Sequence, residues 1–131
     1  MRVSTSSISF NTRGNADILD ITDQVQGALA DSGLQNGILT LFTASSTSAL
    51  TTLEYESGAL SDLRRLLDEI VPADKPYAHN ARWGDGNGHS HVRAALLGPS
   101  LTVPFMGARL TLGTWQQIIF IDFDNRSRRR E

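Results

Sequence analysis

The clearest pattern in the chain is an apolar stripe near its middle. Apolar side chains recur at the three- and four-residue spacing of a helix at Leu60, Leu63, Leu66, Leu67 and Ile70. A stripe of this kind turns one helix face towards a protein core, and Pro72 supplies a stop signal just beyond it. The pattern therefore predicts an amphipathic helix over residues 58–70, with the stripe in the core rather than facing a cofactor.

Shorter apolar and β-branched segments, separated by turn residues, predict strands. They cover residues 3–10, 18–21, 38–43, 50–53, 101–105, 109–112 and 115–123, and the segment 38–43 has the character of a buried strand. Two more helices are indicated by their ends. Thr22 is placed to cap one that stops at Gly33, and Ser90 to cap one that stops at Gly98. Residues 72–89 are predicted to form a loop.

The order of these elements decides the fold class. Strands, a helix, strands, a helix and a final run of strands do not give the regular alternation of a parallel α/β domain. The sequence therefore predicts an α+β fold with a largely antiparallel sheet, in one domain over residues 1–131. A chain of 131 residues with 40% hydrophobic positions is long enough to bury a core without cross-links.

Charge and cysteine content narrow the function classes. A net charge of −2 argues against general nucleic-acid binding. The basic run at residues 126–130 is expected to be a solvated terminus, with a phosphate or RNA contact as the alternative. The absence of cysteine excludes disulfides and thiolate metal sites and fits a cytoplasmic location. No leader-like segment is expected at the N-terminus. The longest apolar run, residues 118–121, is too short to span a bilayer, so no membrane partner is expected.

All three histidines fall within thirteen residues, at His79, His89 and His91. On an extended segment, residues two apart project to one side. His89 and His91 are therefore expected to face the same way, with His79 folding back towards them. Imidazoles with a carboxylate suit zinc or a similar divalent cation, so these three are the candidate metal ligands. The alternative is that one is a surface residue and another bonds loop carbonyls.

The same stretch contains a glycine-rich loop. Gly84, Gly86 and Gly88 alternate with Asp85 and Asn87. Glycines allow backbone N–H groups to approach and cradle an anion, which makes Asp85, Asn87 and Gly88 candidates for binding a phosphorylated ligand. The alternative is a tight loop that binds nothing.

Polar residues at the ends of predicted strands are further candidates. Ser46 and Thr47 follow one strand, where hydroxyls either bind phosphate or form a turn. Glu54 ends the next strand and is a candidate general base or metal ligand. Trp115 and Gln116 begin the longest strand, where they are placed to stack on and hydrogen-bond a flat ligand. Core packing is the alternative for Trp115.

Several motifs together resemble the YjbQ-like family of small bacterial and archaeal proteins. They are GDGNGHSH at 84–91, LGPS at 97–100, VPF at 103–105 and LGTWQ at 112–116, preceded by STSALTTLE at 46–54. The resemblance covers nearly the whole chain. It implies a β-sandwich of mostly antiparallel strands with two main helices, assembled as a homotrimer.

The resemblance also implies an activity. The family is often labelled secondary thiamine-phosphate synthase, which joins a pyrimidine pyrophosphate to a thiazole phosphate and releases pyrophosphate. His79, His91, Glu54, Trp115 and Gln116 match its polar pocket, and His91, Glu54 and His79 would be the catalytic residues, with a divalent metal (Zn or Mg) as cofactor. The alternative is a non-catalytic trimer that binds a metal or a small phosphorylated metabolite with the same residues.

One departure from the family concerns a histidine. Many members have a histidine where this chain has Ser45, while His89 stands where other members often have a non-ligand such as proline. We therefore expect His89 to supply the imidazole that Ser45 lacks. Residues 45–54, 77–91 and 114–116 are then expected to form the three walls of one pocket.

Overall fold

A computed structural model describes all 131 residues of the chain. Its elements in chain order are β1 (Phe10–Thr12), β2 (Asp17–Asp20), α1 (Thr22–Ser32), β3 (Gly37–Phe42), β4 (Ser48–Leu53), α2 (Ser57–Ile70), α3 (Ala78–Trp83), α4 (Gly88–Leu97), β5 (Ser100–Met106), β6 (Arg109–Leu110), β7 (Gln117–Asp122) and β8 (Arg128–Arg130). Every strand pair is antiparallel. The predicted α+β class is confirmed, with four helices instead of two main ones.

Two three-stranded sheets form the body of the fold. Their strand orders are β2–β7–β4 and β3–β5–β6, and β1 pairs separately with β8. The central strand of the first sheet is β7, and its residues 118–122 are all buried. Because successive side chains on a strand point to opposite faces, β7 contributes to a hydrophobic cluster on each side of its sheet.

The two clusters define the layers. The first lies between the β7 sheet and helices α2 and α4, and its buried members are Ala16, Ile18, Ala49, Leu67, Ala94, Ile119, Ile121 and Phe123. The second lies between the β7 sheet, helix α1 and the second sheet, and its buried members are Ile21, Val25, Leu50, Val103, Ile118 and Phe120. The fold is therefore a two-sheet sandwich with helices α2 and α4 covering one outer face.

The second sheet is covered on one face only. Its inner residues pack on the core, but Ile38, Phe42 and Met106 on the outer face are 71%, 66% and 69% exposed. The prediction that residues 38–43 form a strand is therefore confirmed, but the prediction that the strand is buried holds for one of its faces only. A continuous apolar run fits a strand buried on both faces, but here alternate side chains of β3 have no layer above them.

Most of the helix predictions hold. Helix α2 covers residues 57–70, and Leu67 is its buried residue, with Leu60 and Leu63 packed against the first cluster. Gly33 ends α1 in the left-handed conformation, with φ of 71°, and Gly98 follows the end of α4. No helix is both long and apolar enough to cross a membrane.

The predicted caps are wrong. Thr22 is the first residue of α1, and its hydroxyl donates to Asp20 while it accepts from the Ile118 N–H. Ser90 lies inside α4, which begins at Gly88 after Asn87. Both hydroxyls therefore tie their helices to neighbouring segments instead of capping them.

Three predicted segments differ from the structure. Residues 1–9 form no strand, and β1 begins only at Phe10. The predicted loop at 72–89 contains the short helix α3 and the first two residues of α4. The basic terminus is not simply solvated, because β8 pairs with β1 in the register Phe10 to Arg130. Pairing with a distant segment is a tertiary property that local composition does not contain.

Candidate functional site

Two of the three histidines form a pair on the surface. His79 lies in α3 and His91 in the first turns of α4, and their ring centroids are 4.3 Å apart with an angle of 40° between the planes. Both residues are partly exposed. The structure therefore brings together the two histidines that the family resemblance placed in its polar pocket.

A carboxylate lies beside this pair. Asp85 Oδ1 is 3.3 Å from His79 Nδ1, and the Asp85 side chain is 45% exposed. The two atoms are not aligned for a hydrogen bond, and Nδ1 of His79 is buried without a partner. Two partly exposed imidazoles beside a carboxylate supply nitrogen and oxygen atoms that suit a cation, and the exposed ring edges can donate hydrogen bonds to an anionic group. We call His79, His91 and Asp85 the histidine pair site.

The turn between α3 and α4 holds this site in shape. Asn80 Oδ1 accepts a hydrogen bond from the Gly88 N–H at 2.8 Å, which closes the turn. A Cβ on Gly88 would lie 2.6 Å from Tyr77 Cβ, so only glycine fits there. Gly88 was predicted to bind a ligand, but its N–H is bonded within the chain and the residue is buried. Its role here is close packing of the helix start.

Asn87 also bonds within the chain. It is buried, and its Oδ1 accepts from the Asn125 N–H at 3.1 Å and lies 2.6 Å from Ser90 Oγ. Asn125 in turn donates through Nδ2 to the Asp85 carbonyl at 2.7 Å. Asn87 therefore links the start of α4 to the segment after β7, and its ligand-binding role stays a prediction.

His89 faces another part of the molecule. Residues 88–97 are helical rather than extended, so the side chains of His89 and His91 leave the axis roughly 200° apart. The expectation that they face the same way is therefore wrong. His89 is 6% exposed and lies beside Tyr77, with ring centroids 6.4 Å apart. Burial and then the positive charge of Arg93 lower the pKa of His89 below its ordinary value.

The three histidines consequently do not converge on one point. No group of three or more His, Asp or Glu side chains is arranged to hold a metal ion. The hydroxyl of Ser45 is bonded to the Thr47 N–H at 3.2 Å, whereas His89 packs beside Tyr77. The geometry lends no support to the idea that His89 replaces a histidine at position 45.

Ser46 and Thr47 have different surroundings. The Thr47 hydroxyl is buried, donating to Asp124 Oδ2 at 3.1 Å and accepting from Arg130 Nη2 at 2.9 Å. Ser46 is exposed. Of the two hydroxyls predicted to bind phosphate, Ser46 is the one open to a ligand.

A buried ionic network supports this end of the fold, and sequence reasoning missed it. Arg130 donates from Nε to Asp122 Oδ2 at 2.7 Å and from Nη2 to Oδ1 at 2.8 Å. Arg128 donates to Asp124 Oδ2 at 3.1 Å. The bonds to Asp122 raise the pKa of Arg130 against the opposing effect of burial. The only sequence signal was the proximity of two aspartates to an arginine-rich run.

Asp124 connects this network to the histidine helix. Burial alone would raise its pKa, but the Thr47 hydroxyl and Arg128 outweigh that effect and hold the pKa below its ordinary value. The side chain of Asn87 contributes in the same direction. Residues 45–47 and the start of α4 therefore meet around Asp124, as two of the three expected walls.

The third expected wall, residues 114–116, lies at the other end of the β4–β7 pair, together with Glu54 from the end of the first wall. Glu54 follows the last residue of β4, and Gln116 precedes Gln117, which pairs with Leu53 at that same end. Thr47 lies at the other end of β4, so Glu54 is roughly 20 Å from it at about 3.3 Å per residue. Trp115 is 73% exposed, which excludes core packing within this chain. A single chain does not bring Glu54, Trp115 and Gln116 to the histidine pair site.

Comparisons with known proteins agree on the family. The family model described as "UPF0047 protein YjbQ-like" matches residues 6–131. A UPF0047 protein of Methanothermobacter thermautotrophicus is 45% identical over 130 residues, which cover 99% of this chain and 90% of the relative. One of Archaeoglobus fulgidus is 37% identical over 123 residues, covering 94% of each chain.

Solved structures give the same result. A YbjQ-like protein of unknown function from Sulfolobus solfataricus P2 superposes with a TM-score of 0.88 at 33% identity, covering 94% of this chain and 88% of the other. A YjbQ/UPF0047 protein from Clostridium acetobutylicum gives 0.83 at 29% identity, covering 95% and 97%. The chain belongs to the YjbQ-like UPF0047 family.

Proposed function

We propose that this protein binds a small phosphorylated metabolite at the histidine pair site. The observation that carries the proposal is the 4.3 Å approach of the His79 and His91 rings at the surface, with Asp85 beside them. Both rings are partly exposed, so the pair is open to a ligand on its outer side, while the buried His79 Nδ1 faces Asp85. Protonated imidazoles donate charge-assisted hydrogen bonds to phosphate oxygens.

The resemblance to secondary thiamine-phosphate synthase extends this proposal to a reaction. The transferase would displace pyrophosphate from a pyrimidine pyrophosphate by a thiazole phosphate. A bond would form from the thiazole nitrogen to the carbon that bears the pyrophosphate while the bond from that carbon to the pyrophosphate oxygen breaks. His91 and His79 would hold the departing pyrophosphate oxygens by hydrogen bonds. The exposed hydroxyl of Ser46 is a further phosphate-binding group.

The residue types at the histidine pair site suit a divalent cation, but their arrangement in the single chain does not. His79, His91 and Asp85 supply two nitrogens and one oxygen, a set suited to zinc with an open position. In the single chain these side chains are not arranged to hold a metal ion. When bound, the ion would act as a Lewis acid on pyrophosphate oxygens. The two imidazoles would donate hydrogen bonds to phosphate oxygens without it.

Calorimetric titration with inorganic pyrophosphate tests the binding proposal, with and without added Zn²⁺ or Mg²⁺. His91→Ala is expected to weaken binding about tenfold or more, because it removes a charge-assisted hydrogen bond. Val92→Ala is the matched control, since Val92 is an exposed neighbour on the same helix. Equal affinities for the two variants and the unaltered protein would disprove a role for the pair.

A non-catalytic binding protein is the second candidate, and one observation favours it. Glu54, the expected acid or base, lies at the far end of β4 from the histidines in the same chain. A turnover assay with a pyrimidine pyrophosphate and a thiazole phosphate separates the two candidates. Product that forms in the unaltered protein and disappears in His91→Ala supports the enzyme. Pyrophosphate binding without turnover supports the binding protein.

The resemblance also supports a homotrimer as part of the proposal. The uncovered outer face of the second sheet, with Ile38, Phe42 and Met106, agrees with contact between subunits. Sedimentation of the protein at micromolar concentration measures the assembly. A mass of one chain, 14.3 kDa, would exclude it.

A further inference from the structure

One large aromatic side chain lies open to solvent beside the histidine pair site. Trp83 is the last residue of α3 and is 66% exposed, whereas tryptophan is a highly buried residue type on average. No residue of α3 is buried, so this helix contributes no side chain to the core. Single exposed apolar residues are common on protein surfaces, so it is the position of Trp83 that gives its exposure a meaning.

Trp83 shares a helix face with one of the paired histidines. It follows His79 by four residues on α3, so the two side chains leave the axis roughly 40° apart and about 6 Å apart along it. The His79 ring is in turn 4.3 Å from the ring of His91. The exposed indole therefore stands one helical turn from the histidine pair site.

The local structure holds Trp83 in place. Gly84 ends α3 in the left-handed conformation, with φ of 66°, and its N–H donates to the Asn80 carbonyl at 2.8 Å. The guanidinium of Arg82 lies over the Trp83 ring, with its Cζ 5.4 Å from the ring centroid. A cation over an indole face is attracted to the ring. A tryptophan held in this way loses less conformational freedom when it binds a ligand.

Arg82 also adds positive charge to this side of the site. A guanidinium remains protonated at any ordinary pH, whereas an imidazole gains its charge only towards acidic pH. Arg82 is exposed and follows His79 by three residues, so their directions from the axis differ by roughly 60°. The direction of His79 then lies between those of Arg82 and Trp83. This combination of a cation, imidazoles and an aromatic surface suits an anionic group joined to a flat ring.

We propose that Trp83 is the ring-binding residue of the histidine pair site, so that the site takes a phosphate ester whose flat aromatic ring stacks on the indole. This role rests on the proposed phosphate-binding function of His79 and His91. One helical turn, about 6 Å, separates the two contacts, so the ring and the phosphate of the ligand lie only a few bonds apart. Trp115, for which the sequence predicts a similar stacking role, lies at the other end of the β4–β7 pair of this chain.

Two probes, one with a ring and one without, test this role in the full chain. In calorimetric titrations, phenyl phosphate is expected to bind about fivefold or more tightly than ethyl phosphate, which is the effect of stacking one ring on an aromatic side chain. Trp83→Ala should bring the two affinities within about twofold of each other, and Trp83→Phe should retain part of the preference. Val92→Ala, at an exposed position of α4, is the control and should retain all of it.

NMR of the indole N–H groups shows where the ring binds. The chain has two tryptophans, Trp83 and Trp115, so the signal lost in Trp83→Phe identifies both. Phenyl phosphate is expected to shift the Trp83 signal, and ethyl phosphate to shift it much less, because only the first places an aromatic ring against the indole. A shift confined to Trp115 would overturn the assignment to Trp83.

Two results separate a wrong role for Trp83 from a wrong function of the histidine pair. If the unaltered protein binds pyrophosphate but has equal affinities for the two esters, or if Trp83→Ala keeps the ring preference, Trp83 does not bind the ring and the function of the pair stands. If the unaltered protein binds neither pyrophosphate nor either ester, the proposed function is overturned and the role of Trp83 with it. His91→Ala is expected to weaken both esters by the same factor.

Discussion

Replacing Arg130 by methionine is expected to lower the free energy of unfolding by about 3–5 kcal/mol, the usual loss when one partner of a buried ion pair is removed. Asp122 is completely buried, and Arg130 donates to both of its carboxylate oxygens at 2.7 and 2.8 Å. Methionine retains much of the volume but none of the charge. The carboxylate is then left with the hydroxyl of Thr12 as its remaining side-chain donor.

The magnitude can be measured by urea denaturation and by thermal melting. For a chain of this length, a loss of that size lowers Tm by roughly 10–20 °C. Arg129→Met is the matched control, because Arg129 lies on the same strand but is exposed. A change within about 0.5 kcal/mol is expected for it.

A second substitution tests the physical reason. Adding Asp122→Asn to Arg130→Met removes the buried charge as well as its partner, so the double variant is expected to be more stable than Arg130→Met alone. The double-mutant cycle then yields a coupling energy of about 1–3 kcal/mol. Losses that simply add, or an Arg130→Met loss no larger than that of Arg129→Met, would refute the account of the pair.

Three further outcomes are expected from the same structure. Burial and Arg93 keep the pKa of folded His89 below that of the unfolded chain. As pH falls below about 6.5, the unfolded state therefore takes up the proton first, and the free energy of unfolding declines. In urea denaturation at pH 7.5 and 5.5, His89→Asn should reduce this decline. A decline of the same size in the variant would show that His89 is not its source. Gly88→Ala should lower the free energy of unfolding by about 1–3 kcal/mol, because the new Cβ would meet Tyr77. Gly27→Ala has open space around it in α1 and should raise that free energy by about 0.5–1 kcal/mol. Changes of the same sign in the two variants would contradict this account of the packing. Leu67→Ala should lower the free energy of unfolding by about 2–5 kcal/mol, and Leu66→Ala, at a half-exposed position, by much less. Thermal melting measures the difference. Equal losses in the two variants would contradict the burial of the α2 stripe.

The parts of the fold that local sequence predicts are those fixed by local physics. Helix α2 follows from the spacing of its leucines, and the end of α1 follows from Gly33, which adopts positive φ without a steric penalty. Helix α3 was missed because prolines and glycines on both sides of its six residues indicated a loop, and because its position depends on the Asn80–Gly88 bond. The exposure of β3 was missed because no local pattern states whether a second layer covers a strand.

The candidate site divides in the same way. The clustering of histidines led to the pair of His79 and His91, but the side each ring faces depended on whether residues 88–91 were helical. The distance between Thr47 and Glu54 could be predicted from the sequence, because a strand lies between them and its length sets their separation. The Arg130–Asp122 pair depends on a terminal strand pairing that only the folded chain specifies.

The central claim, that His79 and His91 bind a phosphorylated ligand together, is tested most directly by NMR of the imidazole side chains. The ¹⁵N and ¹³C resonances of the three histidines are followed while inorganic pyrophosphate is added. The account predicts that His79 and His91 shift together with one saturation curve, while buried His89 stays unchanged as an internal control. Shifts at His89 without shifts at the pair, or no shift at any histidine, would contradict it.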